Sequence, residues 1–278
     1  MSVEHYENFP VASILIPAAM RPAIHAVYAF SRSADDIADE GDLPAARRLE
    51  KLEAYKEALR KIQTQPGGVT DFGSSELNLV FMPLDKVIRQ YQLPIQAFFD
   101  LLHAFESDVH FQPFSTTKEL LEYCRFSANP VGLLMLHIYN AATEENITLS
   151  NHICTALQLI NFWQDIAIDL DKNRVYLPQD RLRQHGIDSQ IPPGQKISPA
   201  WIGLMREQVE FTRTMLLAGA PLSRNLQGRF AWEMRMIVQG GMRILEKIEK
   251  VQYDVFTHRP VLTKPDWAIM AWRALTHS

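Results

Sequence analysis

Apolar residues recur at helical spacing along most of this chain, and no stretch keeps the strict alternation of apolar and polar positions that is typical of a strand. Thr116 and Glu119 have the spacing of a capping box, which predicts a helix from about Lys118. Asn129-Pro130 should bend or end that helix. The other helices predicted in the first half cover residues 22–39, 43–62, 76–91 and 94–110, with a glycine-rich loop over 65–75.

A second series of helices is predicted after residue 147. A central helix lies within residues 148–178, and Ser198 with Pro199 offers an N-cap and a first-turn proline for the next one, after a loop over 186–199. Helical spacing then runs to about Leu217, resumes from Pro221 toward Val251 and ends with a short helix over 266–275. No fixed-period repeat or low-complexity linker interrupts the chain. The fold class is therefore predicted as all-α, with residues 1–278 forming one domain.

The central segment carries a narrow polar stripe on an otherwise apolar helix. At 100° per residue, Gln158, Asn161, Asp165 and Asp169 fall within an arc of roughly 80°. No Lys or Arg occurs between residues 150 and 171, whereas a surface helix usually carries charge across about half of its circumference. Ionised carboxylates are seldom left in an apolar interior without a partner. The stripe is therefore predicted to face a metal, a set of cations or a water-filled cavity.

A second acidic motif lies near the start of the chain. Asp35 and Asp39 are one helical turn apart, Asp36 borders the same face, and Arg32 and Tyr28 line up with them. Two like charges at this spacing repel by ~2–3 kcal/mol at an effective dielectric constant near ~20, so the motif needs a compensating cation. All candidate ligands are oxygens, which favours Mg²⁺, or Mn²⁺ in its place, over zinc. Because Mg²⁺ often bridges carboxylates to phosphates, two such clusters opposed across a cavity predict a bound diphosphate.

Composition excludes several classes of function. A net charge of -4 with a pI near 6.1, and no basic stripe with interleaved aromatic residues, argues against nucleic-acid binding. Cys124 and Cys154 lack metal-ligand spacing, which predicts free thiols in a cytoplasmic protein. The N-terminus is acidic and has no features of a secretory or mitochondrial signal. The longest apolar stretch, 130–142, is interrupted by His137 and Asn140 and is shorter than a membrane span.

The two acidic motifs have recognisable flanks. YAFSR at 28–32 precedes DDIAD at 35–39, and RVYLP at 174–178 follows NFWQDIAID at 161–169. In these motifs, and over nearly its whole length, the chain resembles the squalene and phytoene synthase family. The resemblance implies an all-α class I isoprenoid synthase bundle around a central cavity. It also implies that both acidic helices bind Mg²⁺, which holds the diphosphate of a prenyl substrate and promotes its departure.

Carried over residue by residue, the resemblance assigns the metal ligands and their neighbours. One metal cluster consists of Asp35, Asp36 and Asp39, and the other of Asn161, Asp165 and Asp169. Arg32, Arg174 and Tyr176 are implied near the diphosphate, and Arg259 in FTHRP is a further phosphate-ligand candidate. Phe9, Phe126 and Phe162 are candidates for the cavity wall, where ring faces stabilise a cation. Tyr28, Asn129 and Gln158 complete the predicted substrate-binding set, while His137 is interpreted as an ordinary helix histidine.

Departures from the family pattern point to one branch. Condensing members carry a lysine-containing segment near the N-terminus and an arginine before the central Asp of the second motif, where this chain has Glu7-Asn8-Phe9-Pro10 and Gln164. Gly240-Gly241 stands where squalene-type relatives often have a tyrosine. ENFPVAS and SANPVG resemble the bacterial hopanoid and squalene branch that converts presqualene diphosphate and water to hydroxysqualene and diphosphate. The resemblance thus implies a carbon–oxygen lyase that needs Mg²⁺ and no NADPH.

Two alternatives stay open at this point. One is a condensing enzyme of the same fold that joins two farnesyl diphosphates into presqualene diphosphate or dehydrosqualene. The other is a non-catalytic helical binding module whose acids form a metal-free polar seam. A C30 lipid substrate is compatible with peripheral contact with the inner membrane and with other squalene-pathway enzymes. The apolar segment 14–20 could serve that contact or, as we favour, cover the core.

Overall fold

The computed structural model describes residues 16–39, 41, 43–189, 191 and 197–276, and every regular element in these ranges is a helix. The all-α prediction is confirmed. The helices are α1 (Arg21–Asp39), α2 (Ala45–Thr64), α3 (Ser75–Tyr91), α4 (Ile95–Val109), α5 (Thr117–Ser127), α6 (Asn129–Ile138), α7 (Glu144–Gln164), α8 (Ile166–Asp171), α9 (Gln179–Gln184), α10 (Pro199–Gly219), α11 (Leu222–Asn225), α12 (Gly228–Lys250) and α13 (Lys264–Thr276).

The predicted boundaries agree with the structure where the sequence contains a cap or a breaker. Thr116 Oγ1 accepts a hydrogen bond from Glu119 N, and Glu119 accepts one from Ser115 N, so α5 starts where the capping box predicts. The chain breaks between α5 and α6 at Ala128, directly before Asn129-Pro130. Helix α9 was missed because its sequence, QDRLRQ, is too short and too polar to show apolar periodicity.

The described residues divide into two compact units. The first unit comprises those of 11–112 and 125–147, and the second comprises those of 113–124 and 148–278. The prediction of one domain over 1–278 stays a prediction. Within the part of the chain that the structure describes, no helix is both long enough and apolar enough to cross a bilayer.

The core of the first unit forms around the apolar face of α1. Phe30 is fully buried and meets Phe81 and Phe98 edge to face, with ring centroids 5.8 Å and 5.2 Å away. Such edge-to-face contacts add to the hydrophobic stabilisation. Ala34 and Ala38 follow Phe30 at four-residue intervals and are also buried. This spacing turns the intervening positions of α1, which carry the acids, away from the core.

In the second unit, α12 packs closely against α7 and α10 at Gly241. A Cβ atom at Gly241 would lie 2.8 Å from Leu216 Cδ2 and 3.0 Å from Ile160 Cδ1, closer than carbon atoms pack. The small residue noted at this position in the sequence therefore has a packing role. Cys124 and Cys154 are both buried and not joined in a disulfide, as predicted, and burial raises the pKa of the Cys124 thiol.

Candidate active site

The first acidic motif lies on the half-exposed face of α1. Tyr28, Arg32, Asp35, Asp36 and Asp39 all have intermediate exposure, as their helical spacing relative to the buried core positions predicts. The structure therefore brings these five predicted site residues onto one side of a single helix.

Arg32 supplies positive charge within this motif. Its Nη1 lies 3.4 Å from Asp35 Oδ2 and its Nη2 lies 2.8 Å from Asp36 Oδ1. One guanidinium thus offsets part of the repulsion between the carboxylates, in the i,i+3 and i,i+4 geometry that helices allow.

The end of α1 is fixed by a residue that sequence reasoning missed. Arg48, in the first turn of α2, donates from Nε to the carbonyl of Leu43 at 2.9 Å and from Nη2 to that of Gly41 at 2.6 Å. Its Nη1 also donates to the carbonyl of Ala38. The carbonyl of Ala38 is one of those that α1 leaves without intrahelical partners at its C-terminus, and those of Gly41 and Leu43 lie in the connection to α2. Arg48 therefore secures the turn that carries Asp39.

The second motif spans the junction of α7 and α8. Gln158, Asn161, Asp165 and Asp169 have intermediate exposure among mostly buried neighbours, which confirms the predicted polar stripe. Asp165 separates the two helices, yet Asp165 N donates to Asn161 O and Asp169 N donates to Asp165 O, each at 2.9 Å. The helical hydrogen bonds thus continue across the junction and keep the stripe in register.

Asp165 accepts side-chain hydrogen bonds from two residues. Arg259 donates from Nε to Oδ1 at 2.5 Å and from Nη2 to Oδ2 at 3.2 Å, and Asn161 Nδ2 donates to Oδ2 at 2.9 Å. The neighbouring Gln164 is buried and donates through Nε2 to the carbonyl of Pro260. Gln164 therefore holds the loop from which Arg259 reaches Asp165.

A left-handed turn at Asn173 ends α8 and places Arg174 next to the last turn of that helix. Asn173 adopts φ 57°, which asparagine tolerates better than most residues. This turn lets Arg174 N donate to Asp169 O at 2.8 Å and Asn173 N donate to Leu170 O at 2.9 Å, a Schellman-type end. Asp169 and Arg174 then line a small cavity together with Phe162 and Tyr176.

Aromatic rings form the wall of this cavity in the second unit. Phe162 and Tyr176 stack with centroids 3.8 Å apart and planes at 9°, and Tyr123 adjoins both rings at 6.2 Å and 6.3 Å. One face of the Phe162 ring is therefore covered by Tyr176. Phe162 is buried and lines this small cavity, and its predicted place at the wall of a substrate cavity stays a prediction.

The other predicted substrate-binding residues lie in different surroundings. Phe126, in the first unit, contacts His103 edge to face at 4.6 Å and carries the Arg125 guanidinium 3.9 Å above its ring. Asn129 is half-buried at the start of α6. Phe9, with the neighbouring Glu7, lies outside the described residues.

The oxygen donors on both motifs suit Mg²⁺ in type, because carboxylate and amide oxygens are the hard ligands that it prefers. Among the described residues, however, no three His, Cys, Asp or Glu side chains are grouped as a ready metal site. Arg32 contacts Asp35 and Asp36, and Arg259 contacts both oxygens of Asp165. A metal bound at Asp165 would therefore have to share this carboxylate with Arg259 or displace the arginine.

The fold is all-helical, two helices carry acidic residues on one face, and an aromatic cavity adjoins the second of these faces. Comparison with known sequences identifies the protein family that has these features. The family model for squalene/phytoene synthases matches residues 3–266. The chain therefore belongs to the squalene/phytoene synthase family, and it is an enzyme of this type.

Several relatives are similar over most of their length. A hydroxysqualene synthase from Rhodopseudomonas palustris is 32% identical over 97% of this chain and 88% of its own. One from Sinorhizobium fredii is 30% identical over 87% of this chain and 80% of its own. A phytoene synthase 2 from Solanum lycopersicum is 26% identical over 94% and 83%, respectively.

Two solved structures share the fold. The squalene synthase HpnC from Alicyclobacillus acidocaldarius has a TM-score of 0.80 and 32% identity, covering 90% of each chain. A dehydrosqualene synthase in complex with a ligand has a TM-score of 0.81 at 18% identity, covering 95% of this chain and 88% of its own. The second likeness concerns the fold alone.

Proposed function

We propose that this enzyme converts presqualene diphosphate and water into hydroxysqualene and diphosphate. Family membership supports the processing of a prenyl diphosphate, and similarity to hydroxysqualene synthases over most of the chain supports this particular reaction. The observation that carries the proposal is the junction of α7 and α8, where the acidic stripe, two arginines and an aromatic cavity adjoin. The arginines and acids suit the binding of a diphosphate, and the aromatic cavity suits an apolar carbocation.

The residues that would hold Mg²⁺ are Asp35, Asp36 and Asp39 on α1 and Asn161, Asp165 and Asp169 on α7 and α8. When bound, Mg²⁺ withdraws charge from the leaving diphosphate oxygens as a Lewis acid. The carboxylates position the metal. Arg32 and Arg259 contact these carboxylates, and we propose that each transfers its hydrogen bonds to phosphate oxygens when substrate binds.

The proposed reaction needs no redox cofactor. The C–O bond to diphosphate breaks with its electron pair, the carbocation rearranges, and water adds to carbon and loses a proton. Atoms and charge balance with water as the co-substrate, so NADPH is not required. The Phe162 and Tyr176 pair lies at the cavity wall, where a ring face stabilises a cation and the apolar lining limits access of water.

The contact between Arg259 and Asp165 changes the argument against a condensing enzyme. The sequence indicates that Gln164 removes a positive charge that condensing relatives have beside the central Asp. Arg259 brings a guanidinium to that Asp from a loop 94 residues later in the chain. Condensation of two farnesyl diphosphates therefore stays the second candidate, and the product decides between the two.

Incubation of the purified protein with Mg²⁺ and without NADPH is expected to convert presqualene diphosphate to hydroxysqualene and to leave farnesyl diphosphate unreacted. Mass spectrometry of the extracted lipids, with and without the chelator EDTA, measures both substrates in parallel. Formation of a C30 product from farnesyl diphosphate would replace this proposal with the condensing reaction. Turnover of neither substrate under conditions where the protein is folded would contradict both.

Replacing Arg259 with Gln is expected to change Mg²⁺ and diphosphate binding in opposite directions. Loss of the guanidinium removes a competitor for Asp165, so Mg²⁺ alone should bind roughly fivefold more tightly, the size of a partly exposed ion pair. Inorganic diphosphate in the presence of Mg²⁺ should bind at least about tenfold more weakly, because a charge-assisted hydrogen bond is lost. Isothermal titration calorimetry measures both affinities without turnover.

Arg213→Gln is the matched control for this variant. Arg213 also pairs with carboxylates in the second unit, at 3.1 Å from Glu210 and 2.6 Å from Glu249, and it lies outside both acidic motifs. Its substitution should leave both affinities unchanged. If Arg259→Gln weakens Mg²⁺ and diphosphate binding alike, Arg259 supports the site only structurally and the proposed exchange of partners is wrong.

A further inference from the structure

Helix α13 exposes large apolar side chains on the side where a surface helix normally carries charge. Trp272 and Leu275 are 61% and 67% exposed, and Trp267 is 40% exposed. At 100° per residue, Ala268, Trp272 and Leu275 lie within an arc of about 60°. An ordinary amphipathic helix of this length would place Glu, Lys or Arg along that arc.

The opposite face of α13 is fixed against α12, so the apolar arc cannot turn inward. Met270 is buried, and its Cε lies 3.3 Å from where Gly240 would carry a Cβ atom. Asp266 is buried and contacts Arg243 at 2.7 Å, while Arg273 pairs with Glu246. These contacts hold both ends of the helix on α12 and leave the arc on the surface.

The charges around the arc are complementary to an anionic surface. Helix α13 and the charged residues of α12 that contact it carry four cations, Arg243, Lys247, Lys264 and Arg273, against two carboxylates, Glu246 and Asp266. Asp266 is buried, and Arg243 and Lys247 pair with it. This region is therefore locally basic, although the chain as a whole has a formal net charge of -4.

The size of the arc favours a lipid surface over a second protein. A helix of 13 residues is about 20 Å long and about 10 Å wide, so its outer face offers roughly 200 Å². A stable protein interface buries about 800 Å² on each partner. Exposed tryptophans beside basic residues are instead typical of helices that lie in the headgroup region of a bilayer.

We propose that α13 docks the enzyme on an anionic lipid surface by inserting Trp272 and Leu275, with Lys264 contacting the headgroups. The match to the family model ends at residue 266, so Trp267, Trp272 and Leu275 lie outside the part of the chain that it covers. The segment 14–20 is the weaker candidate, because Ile16 is buried in the core of the first unit and Met20 packs against that core. The proposal does not depend on the reaction that the enzyme catalyses.

Vesicle flotation of the full-length protein tests this docking. Wild-type protein is expected to float with vesicles of phosphatidylcholine and phosphatidylglycerol at 7:3, and to bind vesicles of phosphatidylcholine alone more weakly. The double variant W272S/L275S should lose at least about tenfold in affinity for the anionic vesicles, as expected when two large apolar side chains are removed. L79S is the matched control, because Leu79 on α3 is 79% exposed and should not contribute.

Circular dichroism of each variant establishes that it is folded before flotation is compared. Equal flotation of wild type and W272S/L275S, or an equal loss in L79S, would overturn the assignment to α13. Failure of wild-type protein to bind either vesicle would overturn the lipid surface itself. Analytical ultracentrifugation without lipid tests whether a second copy of the protein covers α13 instead. A dimer that forms in the wild type and is abolished in W272S/L275S would show that it does.

Discussion

Asp165→Asn is expected to lower kcat/KM for presqualene diphosphate on the order of 10³-fold. The substitution removes the charge of the central ligand proposed in the second motif, and a metal that stabilises a leaving group contributes several kcal/mol to the transition state. The introduced amide retains an oxygen that can accept from Asn161, so the shape of the helix junction should survive. Mg²⁺ binding should weaken in parallel, which separates loss of the metal site from a defect in substrate binding alone.

The measurement is steady-state turnover at several Mg²⁺ concentrations, with calorimetric titration of Mg²⁺ into the same samples. Asp171→Asn is the matched control, because Asp171 ends α8 two residues after Asp169 and points away from the arc that carries the predicted ligands. It should change activity less than about threefold. If Asp165→Asn retains near wild-type activity and Mg²⁺ affinity, the second motif is not the metal site.

The faces of the acidic helices could be predicted because each depends on spacing within one helix. On α1, the buried residues Phe30, Ala34 and Ala38 recur every four positions, so the offset residues Asp35 and Asp39 must face away from the core. The same reasoning applies to the stripe that includes Asp165 on the second motif. The start of α5 could be predicted for the same reason, because the capping residue Thr116 and its partner Glu119 are three residues apart.

The contacts that complete the site could not be predicted, because they join residues far apart in the chain. Arg259 meets Asp165 across 94 residues, and Gln164 meets Pro260 across 96. From the sequence alone, Gln164 indicates that a positive charge is missing beside Asp165. In the folded protein, Arg259 places a positive charge there from a distant loop. The role of Arg48 was missed for a related reason: its partners are backbone carbonyls, which no side-chain pattern reveals.

Asp266 was also overlooked as an acid, since it was treated as the start of an ordinary short helix. It accepts hydrogen bonds from Thr263 N at 2.7 Å and Thr263 Oγ1 at 2.6 Å, which caps α13, and it pairs with Arg243 and Lys247 of α12. One buried carboxylate therefore both begins α13 and attaches it to α12.

Asp266→Ala is expected to lower the free energy of unfolding by roughly 3 kcal/mol. This is the lower end of the cost of removing one partner from a buried ion pair, because Arg243 and Lys247 keep partial access to water. Urea titration monitored by circular dichroism measures the difference. Asp254→Ala is the control: Asp254 accepts from Thr257 N at 3.1 Å but is more exposed, so its loss should cost about 1 kcal/mol, as for a helix cap.

The stability difference between wild type and Asp266→Ala should depend on pH in a defined direction. Burial alone would raise the pKa of Asp266, but hydrogen bonds from Lys247, Thr263 and Arg243 outweigh it and hold the pKa far below the usual range. A carboxylate with a depressed folded-state pKa stabilises the protein fully above its unfolded pKa of about 3.9 and loses that contribution as the pH falls toward the folded value. The difference should therefore be constant from about pH 5 to 8 and shrink below about pH 4. A difference that is unchanged at low pH would mean that packing, and not the ionised carboxylate, attaches α13 to α12.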